Sequence, residues 1–365
     1  MHTAESMTVI GKRRRRIAAR IVGLCVLAAT THPAVGQDCH IGSYLMTDGS
    51  VLDIAPSEGE TLRWRRFDGT TGALHKTAAG EWKSTYGWTG RPDGKSASFS
   101  DCDSGSLNFD GVRGERIVFK VRNTVFSSHD TNLAGRLVMP PGESKVSVVV
   151  LLHGSEQDSA LDTYSLQRML PAHGVGAFVY DKRGTGRSAG TYTQDFTLLA
   201  EDAVAAMREA RRLAGAPWYK DLHGNYTYML LPYSETQLRQ LGDSQLSWTR
   251  TTPFHYDPMP VLRAGTVPQL WIVGGEDYEA PSAETSRRLK ELIAAGHPFT
   301  LARYPDAEHG MTLFEVTADG SRDSTRYAPG YFAMIRDFAR DGRLSGSYGN
   351  AEVTMPRERN RPQSH

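Results

Sequence analysis

The chain is poor in cysteine: three in 365 residues, with only Cys39 and Cys102 beyond the first 36 positions. So few thiols exclude a disulfide-stapled scaffold and leave at most one bridge in that remainder. No His or Cys partner lies at ligand spacing from either one, so the pattern implies no metal site. The N-terminal apolar stretch, Ile21 to Ala29, falls far short of the ~20 residues a membrane-spanning helix needs. Basic residues interleaved with aromatics in a stripe are also missing, which excludes a nucleic-acid footprint.

What is present is enough for a globular chain. A hydrophobic content of 39% and a charged content of 23% allow a full core, in one large domain and a smaller one. The formal charge of +1 hides an asymmetry. The first 36 residues carry six basic residues and one acidic, which leaves 36 basic against 40 acidic in the remainder, a net charge of −4.

Those first 36 residues read as a secretory signal: the basic block Lys12 to Arg16 with Arg20, the apolar stretch, and Ala34-Val35-Gly36 as a small-x-small site before Gln37. The expected location is secreted or periplasmic, with no stable membrane insertion once the signal is cleaved. An N-terminal anchor is the competing reading, opposed by the shortness of the apolar stretch. Cys25 follows Leu24, where a lipoprotein site would want a small residue. In an oxidising compartment Cys39 and Cys102 are expected to pair, the alternative being two free thiols.

Residues 37–114 show short alternating segments such as Thr61-Leu62-Arg63-Trp64-Arg65, punctuated by Asp48-Gly49, Asp68-Gly69, Asp93-Gly94 and Asp110-Gly111. Regular turn dipeptides predict hairpins and hence a small antiparallel β domain. Trp82, Tyr86 and Trp88 could line a binding face or fill the core of that domain.

After Gly114 the periodicity changes to β/α alternation, defining a domain over 115–345. Strands are expected at Arg116–Val121, Gly135–Met139, Val146–Leu152, Gly176–Tyr180, Gln269–Val273 and Phe299–Tyr304. Helices are expected at Leu161–His173, Leu198–Ala214, Ala283–Ala295 and Tyr331–Ala339. Residues 216–255 have the irregular, aromatic look of a lid. Trp218, Tyr219 and Tyr226 there suit an acyl pocket or simple lid packing equally well. From Gly342 the chain is polar and expected to fray, with a tail at 346–365.

Four landmarks occur in order: Leu151-Leu152-His153-Gly154, Tyr180-Asp181-Lys182-Arg183-Gly184-Thr185-Gly186-Arg187-Ser188, Gly274-Gly275-Glu276-Asp277 with Pro281, and Ala307-Glu308-His309-Gly310. Together they resemble the α/β-hydrolase superfamily, and more narrowly exported bacterial esterases and serine-aminopeptidase-like hydrolases with a small N-terminal β domain. The resemblance spans roughly Arg116 to Arg340. It implies an α/β fold with a mostly parallel sheet flanked by helices, no cofactor, and a small-molecule ester or peptide substrate. Gly184-Thr185-Gly186 lacks the full dinucleotide-binding spacing.

The chemistry follows from the side chains. A serine hydroxyl near neutral pH needs a histidine to take its proton and a carboxylate to hold that histidine in the right tautomer. By resemblance His309 is the base, Asp277 its orienter, and the loop His153-Gly154-Ser155 a donor to the oxyanion.

The nucleophile is what the chain lacks. A Gly-x-Ser-x-Gly elbow belongs at a strand-to-helix junction after Leu198–Ala214, yet the chain passes from Gly215 directly into Ala216-Pro217-Trp218. Two central strands are missing with it. At ~4.8 Å per strand, an open sheet would displace the Asp277 and His309 loops by roughly 10 Å. Two serines remain as candidates. Ser188 matches the pattern in Gly186-Arg187-Ser188-Ala189-Gly190, but lies mid-loop, and Ser155 sits in the oxyanion loop. The expected function is therefore a secreted serine-hydrolase-type protein of impaired activity on carboxylic esters or small amides and peptides. The alternative is a non-catalytic relative with a binding role.

Overall fold

The computed structural model describes residues 39–100, 104–142, 145–154, 156–215 and 258–356. The expected signal at 1–36, Cys102, Ser155 and the lid-like insert at 216–255 lie outside the described residues.

Eight strands open the described chain: β1 (Gly42–Met46), β2 (Val51–Pro56), β3 (Leu62–Arg66), β4 (Thr71–Lys76), β5 (Trp82–Tyr86), β6 (Pro92–Phe99), β7 (Ser106–Phe109) and β8 (Val112–Arg116). They form a closed antiparallel barrel, sealed where Tyr44 of β1 pairs with Arg116 of β8 and Met46 with Gly114. Closure removes the exposed edges an open sheet would carry. Alternation along the strands sends Tyr44, Leu52, Ile54, Trp64, Leu74 and Phe109 inward. Asx turns shape the hairpins: Asp48 Oδ1 accepts the Ser50 N–H at 2.9 Å and Asp68 Oδ1 the Thr70 N–H at 2.8 Å.

Two details differ from the sequence expectation. Asp93-Gly94 is no turn but lies inside β6, where the pairing with β5 shifts register and Gly94 takes a positive φ of 80°. Of the three aromatics, Trp82 is core, whereas Tyr86 and Trp88 stay partly exposed.

The rest of the molecule is α/β. Strands β9 (Lys120–Ser128) and β10 (Thr131–Met139) form a hairpin, followed by β11 (Val148–Leu151) and β12 (Gly176–Tyr180). The nine-residue β9 replaces the strand expected at Arg116–Val121. The helix expected over Leu161–His173 is broken into α1 (Ala160–Thr163), α2 (Leu166–Met169) and a 3₁₀ turn at Pro171–His173. Tyr164 is extended (ψ 109°), and Pro171 offers no N–H to continue α2.

Helix α3 (Phe196–Ala214) is capped by Asp195, whose carboxylate accepts the Thr197 and Leu198 N–H groups, and ends at Gly215 in the left-handed region. Its Ala206 and Ala210 pack with Phe178 and Tyr180 of β12. After α4 (Met259–Ala264) come β13 (Gln269–Gly274), α5 (Ser282–Ala294), β14 (Phe299–Tyr304), β15 (Thr312–Val316), β16 (Arg322–Tyr327), α6 (Tyr331–Asp341) and β17 (Glu352–Thr354).

The strand orders are β11-β12-β10-β9 and β13-β14-β17, with β15-β16 a separate hairpin. The expectation of a mostly parallel sheet is corrected among the described residues. Only β11 with β12 and β13 with β14 run parallel; the β9–β10 hairpin, β12 against β10, and β17 against β14 are antiparallel. A two-residue connection between β9 and β10 permits no other direction. No described strand joins β11 to β13, and Val149, Val150, Leu270 and Trp271 on those strands are only half-buried.

The fraying expected after Gly342 is also corrected. Leu344 and Tyr348 are buried, and β17 adds to β14, pairing Ala302 with Val353.

The barrel is tied to the α/β layer at several points. Arg168 of α2 reaches Asp53 of β2, and Phe67 stacks on His173 with ring centroids 3.6 Å apart. Gly69 packs on β16: the Tyr327 N–H donates to its carbonyl at 2.9 Å, and a Cβ at Gly69 would sit 2.6 Å from the Tyr327 carbonyl.

Candidate active site

Asp277 and His309 follow the C-terminal ends of β13 and β14, two adjacent parallel strands. A strand pair of this kind delivers both following loops to one end of the sheet. The loops can meet because β13 ends in Gly274-Gly275. A Cβ on Gly274 would lie 2.4 Å from the Ala307 carbonyl, and one on Gly275 would lie 2.2 Å from that of Pro305. Two backbone bonds cross the same contact, from Gly275 N to Tyr304 O at 2.8 Å and from Glu276 N to Ala307 O at 3.0 Å.

His309 Nδ1 lies 3.1 Å from Asp277 Oδ2. The carboxylate is held independently of the ring. Its Oδ1 accepts the Glu279 N–H at 2.9 Å and the Ala280 N–H at 3.0 Å, while Oδ2 also accepts the Ser282 hydroxyl at 3.1 Å. Asp277 is almost fully buried, with 5% of its side chain exposed, against 46% for His309. A carboxylate accepts, so Nδ1 carries the proton of the neutral ring and Nε2 keeps its lone pair. Among the described residues Nε2 makes no hydrogen bond. The arrangement is an oriented imidazole able to take and return a proton at an exposed nitrogen.

The hairpin β15–β16 props this pair, and sequence reasoning did not foresee it. Arg322 of β16 donates to the Glu276 carbonyl at 2.6 Å, with its guanidinium 4.0 Å over Phe314 and 4.8 Å over Tyr278. Glu308, the neighbour of His309, accepts from the hydroxyls of Thr312 and Ser324. Met311 closes the turn with a φ of 56°, unusual for a residue with a side chain. Ser282 was missed as well. The signal was its place behind Pro281 at the start of α5, within reach of an aspartate five residues earlier.

The other candidate loop is built differently. His153 is buried; its Nε2 accepts the Lys182 N–H at 3.1 Å, and its Nδ1 is buried without a partner. Burial, and then the charge of Lys182, push its imidazole down to about 4. The Lys182 ammonium donates to the Gly154 carbonyl, and burial lowers that group too. Glu156 accepts the Tyr164 hydroxyl at 3.0 Å, and burial raises the phenol. No hydrogen bond or ion pair among the described residues joins this loop to His309 and Asp277.

Ser188 is fully engaged. Its hydroxyl donates to the Asp181 carbonyl at 2.6 Å and accepts the Ala134 N–H at 2.9 Å. It lies in a loop that Asp181 organises, accepting from Ser159, Leu161 and Arg187. Arg183 of the same loop forms a buried two-pronged pair with Asp202 of α3 at 2.7 and 2.6 Å.

No protein-family model matches the chain, and no curated protein matches it. Its structural neighbours are α/β-hydrolases at low sequence identity. One is the acylaminoacyl peptidase of Pyrococcus horikoshii, at 16% identity and a TM-score of 0.41, covering 81% of this chain and 57% of that one. The chain thus spans little more than half the length of that peptidase. An esterase of Pyrococcus furiosus is similar at 16% identity and a TM-score of 0.39, covering 52% of this chain and 84% of its own.

Proposed function

We propose that the protein is an exported serine-hydrolase-type protein acting on carboxylic esters or small amides and peptides, with activity below that of a complete triad. His309 is its general base, Asp277 its orienter, and the His153-Gly154-Ser155 loop its source of an oxyanion donor. One observation carries the reading: an exposed imidazole 3.1 Å from a buried carboxylate that already accepts three other hydrogen bonds. Such a carboxylate fixes the tautomer and stabilises the imidazolium formed when Nε2 accepts a proton. The reduced activity rests on the sequence, where no Gly-x-Ser-x-Gly elbow follows Leu198–Ala214. Export rests on the basic block, apolar stretch and small-x-small site of residues 1–36, and in that setting Cys39 and Cys102 form a disulfide. The substrate is a small molecule; no nucleic acid and no metal or other cofactor takes part.

The second reading, a non-catalytic relative with a binding role, is favoured by the occupied hydroxyl of Ser188. A fluorophosphonate probe on the folded mature chain, read by peptide mass spectrometry, separates the two. Labelling of one serine, lost in His309→Ala, supports a working hydrolase. A cooperative melt with no labelled serine supports the folded, non-catalytic relative instead.

A further inference from the structure

A cavity of about 270 Å³ opens at the side of the barrel where β16 packs against it. It lies apart from His309 and Asp277, which do not line it. Trp64, Tyr86 and Phe109 supply aromatic walls, and Arg66, Lys95 and Arg326 supply cations.

The cations are not equivalent. Lys95 is neutralised by Asp93, whose carboxylate lies 3.4 Å from its ammonium and also accepts the Ser84 hydroxyl at 3.0 Å. Arg66 and Arg326 make no ion pair among the described residues. Arg66 donates to the Ser50 hydroxyl at 2.8 Å, and its guanidinium stands 5.8 Å from the Phe109 ring centre. Arg326 donates to the Asp68 carbonyl at 2.8 Å, while its Nε is buried with no acceptor. A buried guanidinium N–H without an acceptor is costly to keep, and a carboxylate matches its planar fork. The remaining acid on the lining, Asp110, is exposed.

We propose that this cavity binds a small aromatic carboxylate, its ring against Trp64, Tyr86 and Phe109 and its carboxylate between Arg66 and Arg326. The size fits a single ring, since cavities for larger ligands run to roughly 300–1,000 Å³. Three cations face two carboxylates on the lining, so an anion is favoured over a neutral ring. The proposal is independent of whether His309 and Asp277 are catalytic.

The test is titration of the mature chain with benzoate, benzamide and inorganic phosphate, followed by calorimetry and ligand-observed NMR. Benzoate should bind, with benzamide and phosphate each weaker by about tenfold or more, the loss expected for one charged hydrogen bond or for the ring contact. Arg66→Met and Arg326→Met should each weaken benzoate by about tenfold. Arg66→Lys, which keeps the charge and loses the fork, should weaken it as well. Transferred magnetisation from indole and phenol protons to the benzoate ring in the unmodified protein keeps the test open should a variant unfold. Equal binding of benzoate and benzamide, tighter binding of phosphate, no binding at all, or benzoate affinity untouched in folded arginine variants overturns the proposal.

Discussion

Arg168, on a four-residue helix of the α/β layer, grips Asp53, on the second strand of the barrel, through Nε at 2.8 Å and a terminal nitrogen at 3.0 Å. Asp53 is 1% exposed and Arg168 12%, so the pair is desolvated, and the Ser43 hydroxyl donates to the same carboxylate at 2.9 Å. Two charges removed from water in this way hold each other hostage: losing one strands the other. Arg168→Met should cost about 3–5 kcal/mol, whereas the double replacement Arg168→Met/Asp53→Leu should recover most of that loss. Urea denaturation of the three proteins checks it. A single variant as stable as the parent would mean that water reaches Asp53 and the barrel is held by its other contacts.

Gly274 is a point of close approach between the two loops of the candidate site. An added methyl group would press on the carbonyls of Ala307 and Glu308, at 2.4 and 2.6 Å, and backbone atoms cannot swing aside. Gly274→Ala should therefore lower stability by roughly 1–3 kcal/mol and push the His309 loop away from Asp277. Proton NMR of the imidazoles reads the displacement directly, as loss of the hydrogen-bonded Nδ1 proton of His309. Its survival in a variant of unchanged stability would show that the loops have slack.

Ser188 matches a nucleophile pattern in sequence and is a strap in structure. Its hydroxyl bridges the Asp181 carbonyl and the Ala134 N–H, binding the loop after β12 to β10. Ser188→Ala should cost about 1–3 kcal/mol through the unpaired N–H and carbonyl, and leave fluorophosphonate labelling as it was. Labelling abolished without loss of stability would restore Ser188 as a nucleophile.

The parts of the fold that were legible in sequence are those whose residues carry a period of their own. The Asp48-Gly49, Asp68-Gly69 and Asp110-Gly111 turns mark barrel hairpins because aspartate and glycine have local reasons to bend there. The apolar runs at Gln269 and Phe299 announce buried strands, with Asp277 and His309 behind them. The hairpin β15–β16 was hidden because Thr312–Val316 and Arg322–Tyr327 are largely half-exposed and mixed in polarity, so no alternation stands out. What fixes them is tertiary: Trp88 N–H donates to Ser324, and Tyr327 N–H to Gly69, contacts set by residues some 240 positions away. Strand β17 was hidden for the same reason. Three residues carry no period, and pairing with β14 defines them. Strand direction was misjudged because β/α alternation suggests parallel pairing, whereas the hairpin turn at His129 dictates the opposite for β9 and β10.

His153 contributes to the pH dependence of stability, and its own substitution isolates that contribution. Burial and the neighbouring Lys182 charge hold its folded-state pKa at about 4, against 6.5 for an ordinary histidine. The unfolded chain therefore binds a proton at this ring between those values and the folded one does not. Stability rises with pH wherever the unfolded state binds more protons. The contribution of the neutral ring is thus complete above pH 6.5 and is lost as pH falls toward 4, a decline on the order of 3 kcal/mol. His153→Asn keeps an acceptor for the Lys182 N–H but does not titrate. Denaturation at pH 7 and near pH 4.5 should show a smaller difference for that variant than for the parent. Equal differences in the two proteins would place the ring in contact with water and remove the desolvation on which the shift depends.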